Sequence, residues 1–109
     1  MHFFGGTLEG LRVLDMFAGS GAMGLEAVSR GAAAADVVEM NRRGADAIRE
    51  TVKKLKATEV SVYAEDVFVF LSRTAQTYDL VFIDPPFAAG LQAKALRAVK
   101  ARLAYGAYV

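Results

Sequence analysis

The sequence predicts an α/β fold in which helices cover both faces of a doubly wound parallel sheet. Short apolar runs alternate with longer amphipathic segments along the whole chain, which is the pattern of successive βαβ units. A glycine-rich turn follows the first apolar run and opens the first helical segment. The two prolines of the chain, Pro85 and Pro86, are adjacent, so the predicted helices are unbroken.

The predicted strands and helices alternate in sequence order. Strands are expected at residues 12–16, 35–40, 60–64 and 78–83, and a fifth is expected from Ala107, after Gly106 ends the preceding helix. Helices are expected at 22–30, 42–56, 67–73 and 91–103, where apolar residues recur at helical spacing. The run 67–73 fits a strand or a helix by periodicity alone, and Asp66 favours the helix because Asp is a good N-cap.

The same spacing predicts which faces of the first two helices are buried. These faces comprise Ala22, Leu25 and Val28 in the first helix and Ala45, Ile48, Val52 and Leu55 in the second. Gly31 is expected to stop the first helix, and Asn41 is expected to cap the second.

The composition excludes several kinds of functional site but does not by itself indicate a function. The 109 residues, of which 54% are hydrophobic, suit one domain with a single core. The absence of cysteine excludes disulfides, thiolate metal sites and a cysteine nucleophile, and the single His2 leaves little for a histidine metal site. No stretch has the pattern of a membrane span or a secretion signal, so a cytoplasmic protein is expected. No metal is expected either. A net charge of +1 does not by itself indicate nucleic-acid binding.

The glycine-rich turn predicts a site for a nucleotide-like molecule. Gly19, Gly21 and Gly24 satisfy the pattern G-x-G-x-x-G at the start of a helix, whose free N–H groups face the ligand. This pattern alone suits a dinucleotide equally well. Glu39, at the end of the second predicted strand, can accept hydrogen bonds from two ribose hydroxyls, and its alternative is a solvated acid.

Two further acids are expected at strand ends. Asp15 can orient the glycine turn or accept from a ligand ammonium group, and its alternative is a loop or helix cap. Asp66 can accept from the exocyclic amine of an adenine while the Val67 N–H donates to the ring. A plain N-cap is the alternative for Asp66, and both roles can hold at once.

The segment Asp84-Pro85-Pro86-Phe87 ends the fourth predicted strand. The double proline stiffens the turn and fixes the direction of Asp84. The carboxylate of Asp84 and the carbonyl of Pro85 can accept from the amino group of a flat ring, on which Phe87 can stack. A strand-ending turn with a core Phe is the alternative.

With these motifs, the sequence resembles the class I S-adenosylmethionine-dependent methyltransferases, and within them the RsmD family, which methylates the N2 amine of a guanine in 16S ribosomal RNA. The resemblance rests on VLDMFAGSGAMGLEAVSRGA at 13–32, VEMN at 38–41 and FIDPPF at 82–87. It implies a Rossmann-like methyltransferase sheet, RNA or the small ribosomal subunit as partner, and S-adenosylmethionine as cofactor.

The resemblance also implies roles for individual residues. The cofactor would contact Asp15, Phe17, Ala18, Gly19, Ser20, Gly21, Glu39, Met40, Asp66 and Val67. The target base would meet the catalytic residues Asp84, Pro85, Pro86 and Phe87.

The chain departs from the family at both ends. Almost nothing precedes Leu11, where the family carries a basic extension and a helix, and the predicted sheet reaches five of the family's seven strands. Residues 1–109 are therefore expected to form one methyltransferase core that is incomplete at both ends.

Three other functions fit parts of the sequence. The Asp-Pro-Pro-Phe segment is shared with DNA adenine-N6 and cytosine-N4 methyltransferases. The glycine pattern and Glu39 fit an NAD-dependent oxidoreductase. The shortened chain fits a non-catalytic binding fragment. Phosphates of a nucleic acid would be met by Arg42 and Arg43, or by Lys94 and Arg97, and solvated helix faces explain these charges equally well.

Overall fold

A five-stranded parallel sheet forms the centre of the protein in a computed structural model, which describes residues 8–19, 21–83 and 89–108. The strands lie in the order β3-β2-β1-β4-β5. They are β1 Arg12–Asp15, β2 Ala34–Val38, β3 Val60–Tyr63, β4 Tyr78–Phe82 and β5 Leu103–Tyr108. The helices are α1 Ala22–Ser29, α2 Arg42–Leu55, α3 Val67–Arg73 and α4 Ala89–Val99. None of the helices in these ranges is long and apolar enough to cross a membrane.

The helices cover both faces of the sheet, which confirms the predicted doubly wound class. One cluster packs side chains of α1 and α2 against Val13 and Val37. A second cluster packs α3 and α4 against Leu14 and Val38, on the opposite face. Successive strand residues therefore point to alternate clusters, as the period of a β-strand requires. The chain builds outward from β1 to β3, and then crosses to the other face and continues at β4, beside β1.

The end of β1 is the point where the two halves of the sheet separate. The N–H of Met16, just after β1, donates to the carbonyl of Phe82 at the end of β4, at 3.2 Å. The N–H of Ala18 donates instead to the carbonyl of Val38 at the end of β2, at 3.0 Å. The backbone thus leaves one neighbour and joins the other within two residues. A crevice opens at such a switch point, outside the carboxyl ends of the strands.

The predicted inward face of α1 is confirmed for Leu25 and Val28, which are partly buried against the core, but not for Ala22. Gly24 and Ala27 are the buried residues of this helix, and Ala22 is exposed. A Cβ on Gly24 would lie 2.5 Å from a Cγ atom of Val37, so α1 approaches β2 more closely than any side chain at this position allows. The inward face is consequently centred on a glycine, which hydrophobic periodicity does not detect.

The α2 face is confirmed at Ala45 and Ile48, which are buried, but not at Leu55. Leu55 is 64% exposed, because it is the last residue of the helix, next to the left-handed turn at Lys56. The predicted caps are both present. Asn41 accepts from the N–H of Gly44 at 2.9 Å, and Asp66 accepts from the N–H of Phe68 at 2.8 Å, which confirms the helix at 67–73.

The prediction for the fifth strand was wrong. The strand begins at Leu103, four residues before the expected start, and Gly106 lies inside it. The preceding α4 starts at Ala89 and ends at Val99, followed by a 3₁₀ turn. Pairing with β4 explains the difference, because Leu103 aligns with Tyr78 and Tyr108 aligns with Leu80, with a shift in register between these pairs. A glycine in such a shifted stretch marks a bulge and not a helix stop.

A buried hydrogen bond joins β4 to β2 across β1. The hydroxyl of Tyr78 donates to a carboxylate oxygen of Asp36 at 2.6 Å. Tyr78 is 0% exposed and Asp36 is 5% exposed. Burial first, and then the hydrogen bond to the Asp36 carboxylate, raise the pKa of the Tyr78 phenol far above its usual range. The neutral phenol is therefore the form that stabilises the fold.

We expect Tyr78→Phe to lower the free energy of unfolding by about 1–3 kcal/mol at pH 7, because the buried Asp36 carboxylate loses its donor. Since the folded-state pKa of Tyr78 exceeds the unfolded value of about 10, its stabilisation is complete below pH 10 and is lost as the pH rises further. Urea unfolding between pH 8 and pH 11 measures both effects.

Above about pH 10, wild-type stability should fall more steeply than that of Tyr78→Phe, by up to about 1.4 kcal/mol per pH unit. Parallel curves for the two proteins would contradict this assignment, since all other titrating groups are common to both.

Candidate functional site

A cleft of about 980 Å³ lies at the carboxyl edge of the sheet, at the switch point between β1 and β4. Its walls are the segments that follow β1, β2, β3 and β4, together with residues of α1, α3 and α4. The lining residues are Asp15, Met16, Phe17, Ala18, Gly19, Ala22, Met23, Val38, Glu39, Met40, Glu65, Asp66, Val67, Phe68, Phe82, Ile83, Leu91 and Lys94.

The glycine-rich turn forms the floor of the cleft through backbone that only glycine adopts easily. Gly19 and Gly21 have φ values of 57° and 78°, in the left-handed region. Gly19 lines the cleft, and a Cβ placed on it would meet nothing within 4 Å. Gly21 faces away, because a Cβ there would lie 2.8 Å from Ile48 of α2. The turn is therefore open to a ligand at Gly19 and closed against the core at Gly21.

The carboxylate of Glu39 joins the turn to the helix that follows β2. One oxygen accepts from the N–H of Gly19 and the other accepts from the N–H of Asn41, both at 2.8 Å. A carboxylate has about four acceptor positions, so each oxygen can still accept a further hydrogen bond from a ligand hydroxyl. Glu39 thus holds the turn and presents negative charge to the cleft at the same time.

Asp66 also has a backbone role and an open acceptor. One of its oxygens accepts from the N–H groups of Phe68 and Val69, at 2.8 and 3.3 Å, which caps α3. Both Asp66 and Val67 line the cleft. The N-cap alternative is therefore correct for one oxygen of Asp66, and it leaves the other oxygen available to a ligand.

Most of the predicted cofactor residues lie together in the cleft. Eight of the ten line it, including Asp15, which is 4% exposed at the end of β1, and Met40, which is 72% exposed. The other six are Phe17, Ala18, Gly19, Glu39, Asp66 and Val67. Gly21 packs behind the cleft against Ile48. Ser20 lies outside the described residues.

The predicted catalytic residues Asp84, Pro85, Pro86 and Phe87 also lie outside the described residues. The two residues before them, Phe82 and Ile83, line the cleft at the end of β4. Ile83 is the last described residue before the Asp-Pro-Pro-Phe motif.

Several lining residues were not predicted from the sequence. Met16 and Glu65 directly precede predicted residues, so their position in the chain was a usable signal. Phe68 directly follows the predicted Val67, and Lys94 was considered only as one of four cations that could meet nucleic-acid phosphates. No sequence signal indicated that α3 and α4 bring these two residues together from 26 positions apart. The ammonium nitrogen of Lys94 lies 4.3 Å from the centroid of the Phe68 ring, within cation–π range.

The charges of the lining favour a positively charged ligand. Among the described lining residues, four carry carboxylates, namely Asp15, Glu39, Glu65 and Asp66, and one, Lys94, carries a positive charge. Glu65 is partly neutralised, because Arg73 donates to it at 3.0 Å. No cluster of three acidic or histidine side chains within the described ranges could hold a metal ion. The cleft thus suits an organic cation with hydroxyl groups and repels a pyrophosphate.

Comparison with known proteins gives one family and consistent relatives. The family model described as "Conserved hypothetical protein 95" matches residues 2–108. The ribosomal RNA small subunit methyltransferase D of Escherichia coli K12 is 44% identical over 78 residues, which cover 72% of this chain and 39% of that protein. The matched part of the chain therefore covers well under half the length of this relative.

Solved structures agree with the family match. The Escherichia coli protein named "Putative methyltransferase yhhF" has a TM-score of 0.83 and 37% identity, covering 88% of this chain and 55% of that one. A conserved hypothetical protein of Streptococcus pyogenes has a TM-score of 0.82 and 36% identity, covering 90% and 63%. The match of the family model over nearly the whole chain means that this protein belongs to the family described as Conserved hypothetical protein 95, the RsmD family of S-adenosylmethionine-dependent methyltransferases.

Proposed function

We propose that residues 1–109 form a single methyltransferase core, which transfers a methyl group from S-adenosylmethionine to the N2 amine of a guanine in 16S ribosomal RNA. The family, and the name of the Escherichia coli relative as a ribosomal RNA small subunit methyltransferase, support the reaction and the RNA substrate. A ribosomal RNA substrate implies a cytoplasmic enzyme.

One observation carries the proposal. Three acids, Asp15, Glu39 and Asp66, follow three adjacent strands and line one cleft with the open glycine turn. Glu39 would accept from the ribose hydroxyls, Asp66 from the adenine amine, and Asp15 would face the charged methionine end. Because S-adenosylmethionine is a sulfonium cation, the excess of carboxylates in the cleft attracts it.

The bound cofactor supplies an electrophilic methyl group on a positively charged sulfur. The residues of the chain would then act mainly by placement, since the amine can lose its proton after the transfer. Asp84 and the Pro85 carbonyl would accept from the amine and direct its lone pair, and Phe87 would stack on the base. This assignment rests on the sequence motif and on the position of Phe82 and Ile83 in the cleft wall.

The charge balance also argues against an NAD-dependent oxidoreductase, because the described lining carries more carboxylates than cations and a pyrophosphate is an anion. RNA is favoured over DNA because the relatives are named as ribosomal RNA methyltransferases. A non-catalytic binding fragment would bind the cofactor without transferring the methyl group.

The proposal is tested by calorimetric titration of the full chain with S-adenosylmethionine and by methyl transfer to unmodified 30S particles. We expect binding, and transfer to guanine N2. Absence of binding heat at high protein concentration would overturn the cofactor assignment, and binding without transfer would support the non-catalytic fragment.

Asp84→Ala should reduce methyl transfer roughly 100-fold or more, as expected when a positioning acceptor for the reacting group is lost. Cofactor affinity should stay unchanged, because this residue is assigned to the base. Single-turnover transfer and calorimetry separate the two effects. A variant that transfers normally would refute the role of Asp84.

Glu39→Gln should weaken S-adenosylmethionine binding roughly 10- to 100-fold, because one charged backbone contact and the charge facing the ligand are lost. The matched control is Glu65→Gln, which removes a cleft carboxylate already paired with Arg73 and should change affinity at most about fivefold. Equal effects of the two variants would contradict a specific role for Glu39.

Asp66→Asn separates capping from ligand binding. Asn caps a helix as well as Asp does, so the stability should change little, whereas the affinity for S-adenosylmethionine should fall about 3- to 10-fold when the acceptor for the amine is replaced. Asp66→Ala should lose about 1 kcal/mol of stability as well. Full affinity in Asp66→Asn would show that Asp66 serves only as a cap.

A further inference from the structure

Lys94 is the one cationic side chain that lines the cleft within the described part of the chain. It is exposed, and its ammonium nitrogen lies 4.3 Å from the centre of the Phe68 ring. Although four carboxylates line the same cleft, Lys94 forms no ion pair with any described carboxylate. Its charge is therefore available to a ligand.

Five other cations in or near helices have a structural explanation. Lys53 and Lys54 lie in the last turn of α2, where positive charge complements the helix dipole. Three arginines are paired with acids: Arg30 with Glu26, Arg49 with Asp46, and Arg73 with Glu65. Neither explanation applies to Lys94, which lies in the middle of α4.

The structure also distinguishes Lys94 from the other candidates for phosphate binding. Arg42, Arg43 and Arg97 are exposed but do not line the cleft. Lys94 and Leu91 are the residues by which α4 reaches it. Phe82 and Ile83, at the end of β4, line the same cleft as Lys94.

We propose that Lys94 binds a backbone phosphate of the acceptor RNA beside the target nucleotide and so positions that nucleotide at the cleft. This inference rests on the proposed function. The carboxylates that attract the cofactor repel a polyanion, and a lysine in the same wall offsets that repulsion where the RNA enters. An ammonium group is a compact point charge that suits a single phosphate.

Phe68 explains how Lys94 is held before RNA binds. A cation–π contact at an exposed site orients the ammonium group but is weak, so a phosphate can replace it. The aromatic ring therefore keeps the lysine in the cleft wall and away from the neighbouring carboxylates.

The test compares Lys94→Met with the wild-type chain. Methionine keeps a flexible apolar side chain against Phe68 but carries no charge. Fluorescence anisotropy with a labelled, guanine-containing single-stranded RNA, in the presence of S-adenosylhomocysteine, measures affinity between 50 and 200 mM KCl. If Lys94→Met loses one phosphate contact, the ratio of wild-type to variant RNA affinity should be about threefold larger at 50 mM than at 200 mM KCl.

Two control variants make the test specific. Lys94→Arg keeps the charge and should keep the wild-type salt dependence. Lys100→Met removes an exposed lysine just after the C-terminal end of α4, and this variant should also keep the wild-type salt dependence. Cofactor affinity, measured by calorimetry, should be unchanged in all three variants.

The proposal is overturned if Lys94→Met keeps the wild-type salt dependence, if Lys100→Met changes it equally, or if the wild type binds no RNA. It is also overturned if Lys94→Met weakens cofactor binding, since that result assigns Lys94 to the cofactor. If the wild type binds the cofactor and Lys94→Met has no effect on RNA binding, the Lys94 proposal fails while the methyltransferase function stands. The failure of this inference can therefore be distinguished from the failure of the proposed function.

Discussion

The site depends on the exchange of hydrogen-bond partners at the end of β1. Met16 donates to Phe82, at the end of β4, and Ala18 donates to Val38 of β2. The two halves of the sheet are therefore joined through one short strand and diverge immediately beyond it. Among the described residues, the cleft is lined by segments at the carboxyl ends of β1 to β4 and by residues of α1, α3 and α4.

The three glycines of the G-x-G-x-x-G motif meet three different constraints. Gly19 takes a left-handed conformation and leaves open space above the backbone, Gly21 takes a similar conformation against Ile48, and Gly24 permits the close approach of α1 to Val37. Only the first of these constraints concerns a ligand directly. The other two position the turn, by packing it between α2 and β2.

The acids of the cleft combine structural hydrogen bonds with charge directed to the ligand. Glu39 accepts from two backbone N–H groups, and Asp66 accepts from two at the start of α3. These hydrogen bonds fix the orientation of the two carboxylates. A ligand cation therefore meets acceptors that are already positioned by the backbone.

Local sequence signals were sufficient to predict the fold class and the caps at Asn41 and Asp66. They also predicted that Asp15, Glu39 and Asp66 lie at one edge of the sheet, because parallel strands connected by helices end at the same side. They were not sufficient for β5, whose extent is set by pairing with β4, or for the burial of Gly24 in place of Ala22, which is set by the distance between α1 and β2. The contact of Lys94 with Phe68 depends on how α3 and α4 pack, and no local pattern encodes the packing of two helices separated by a strand.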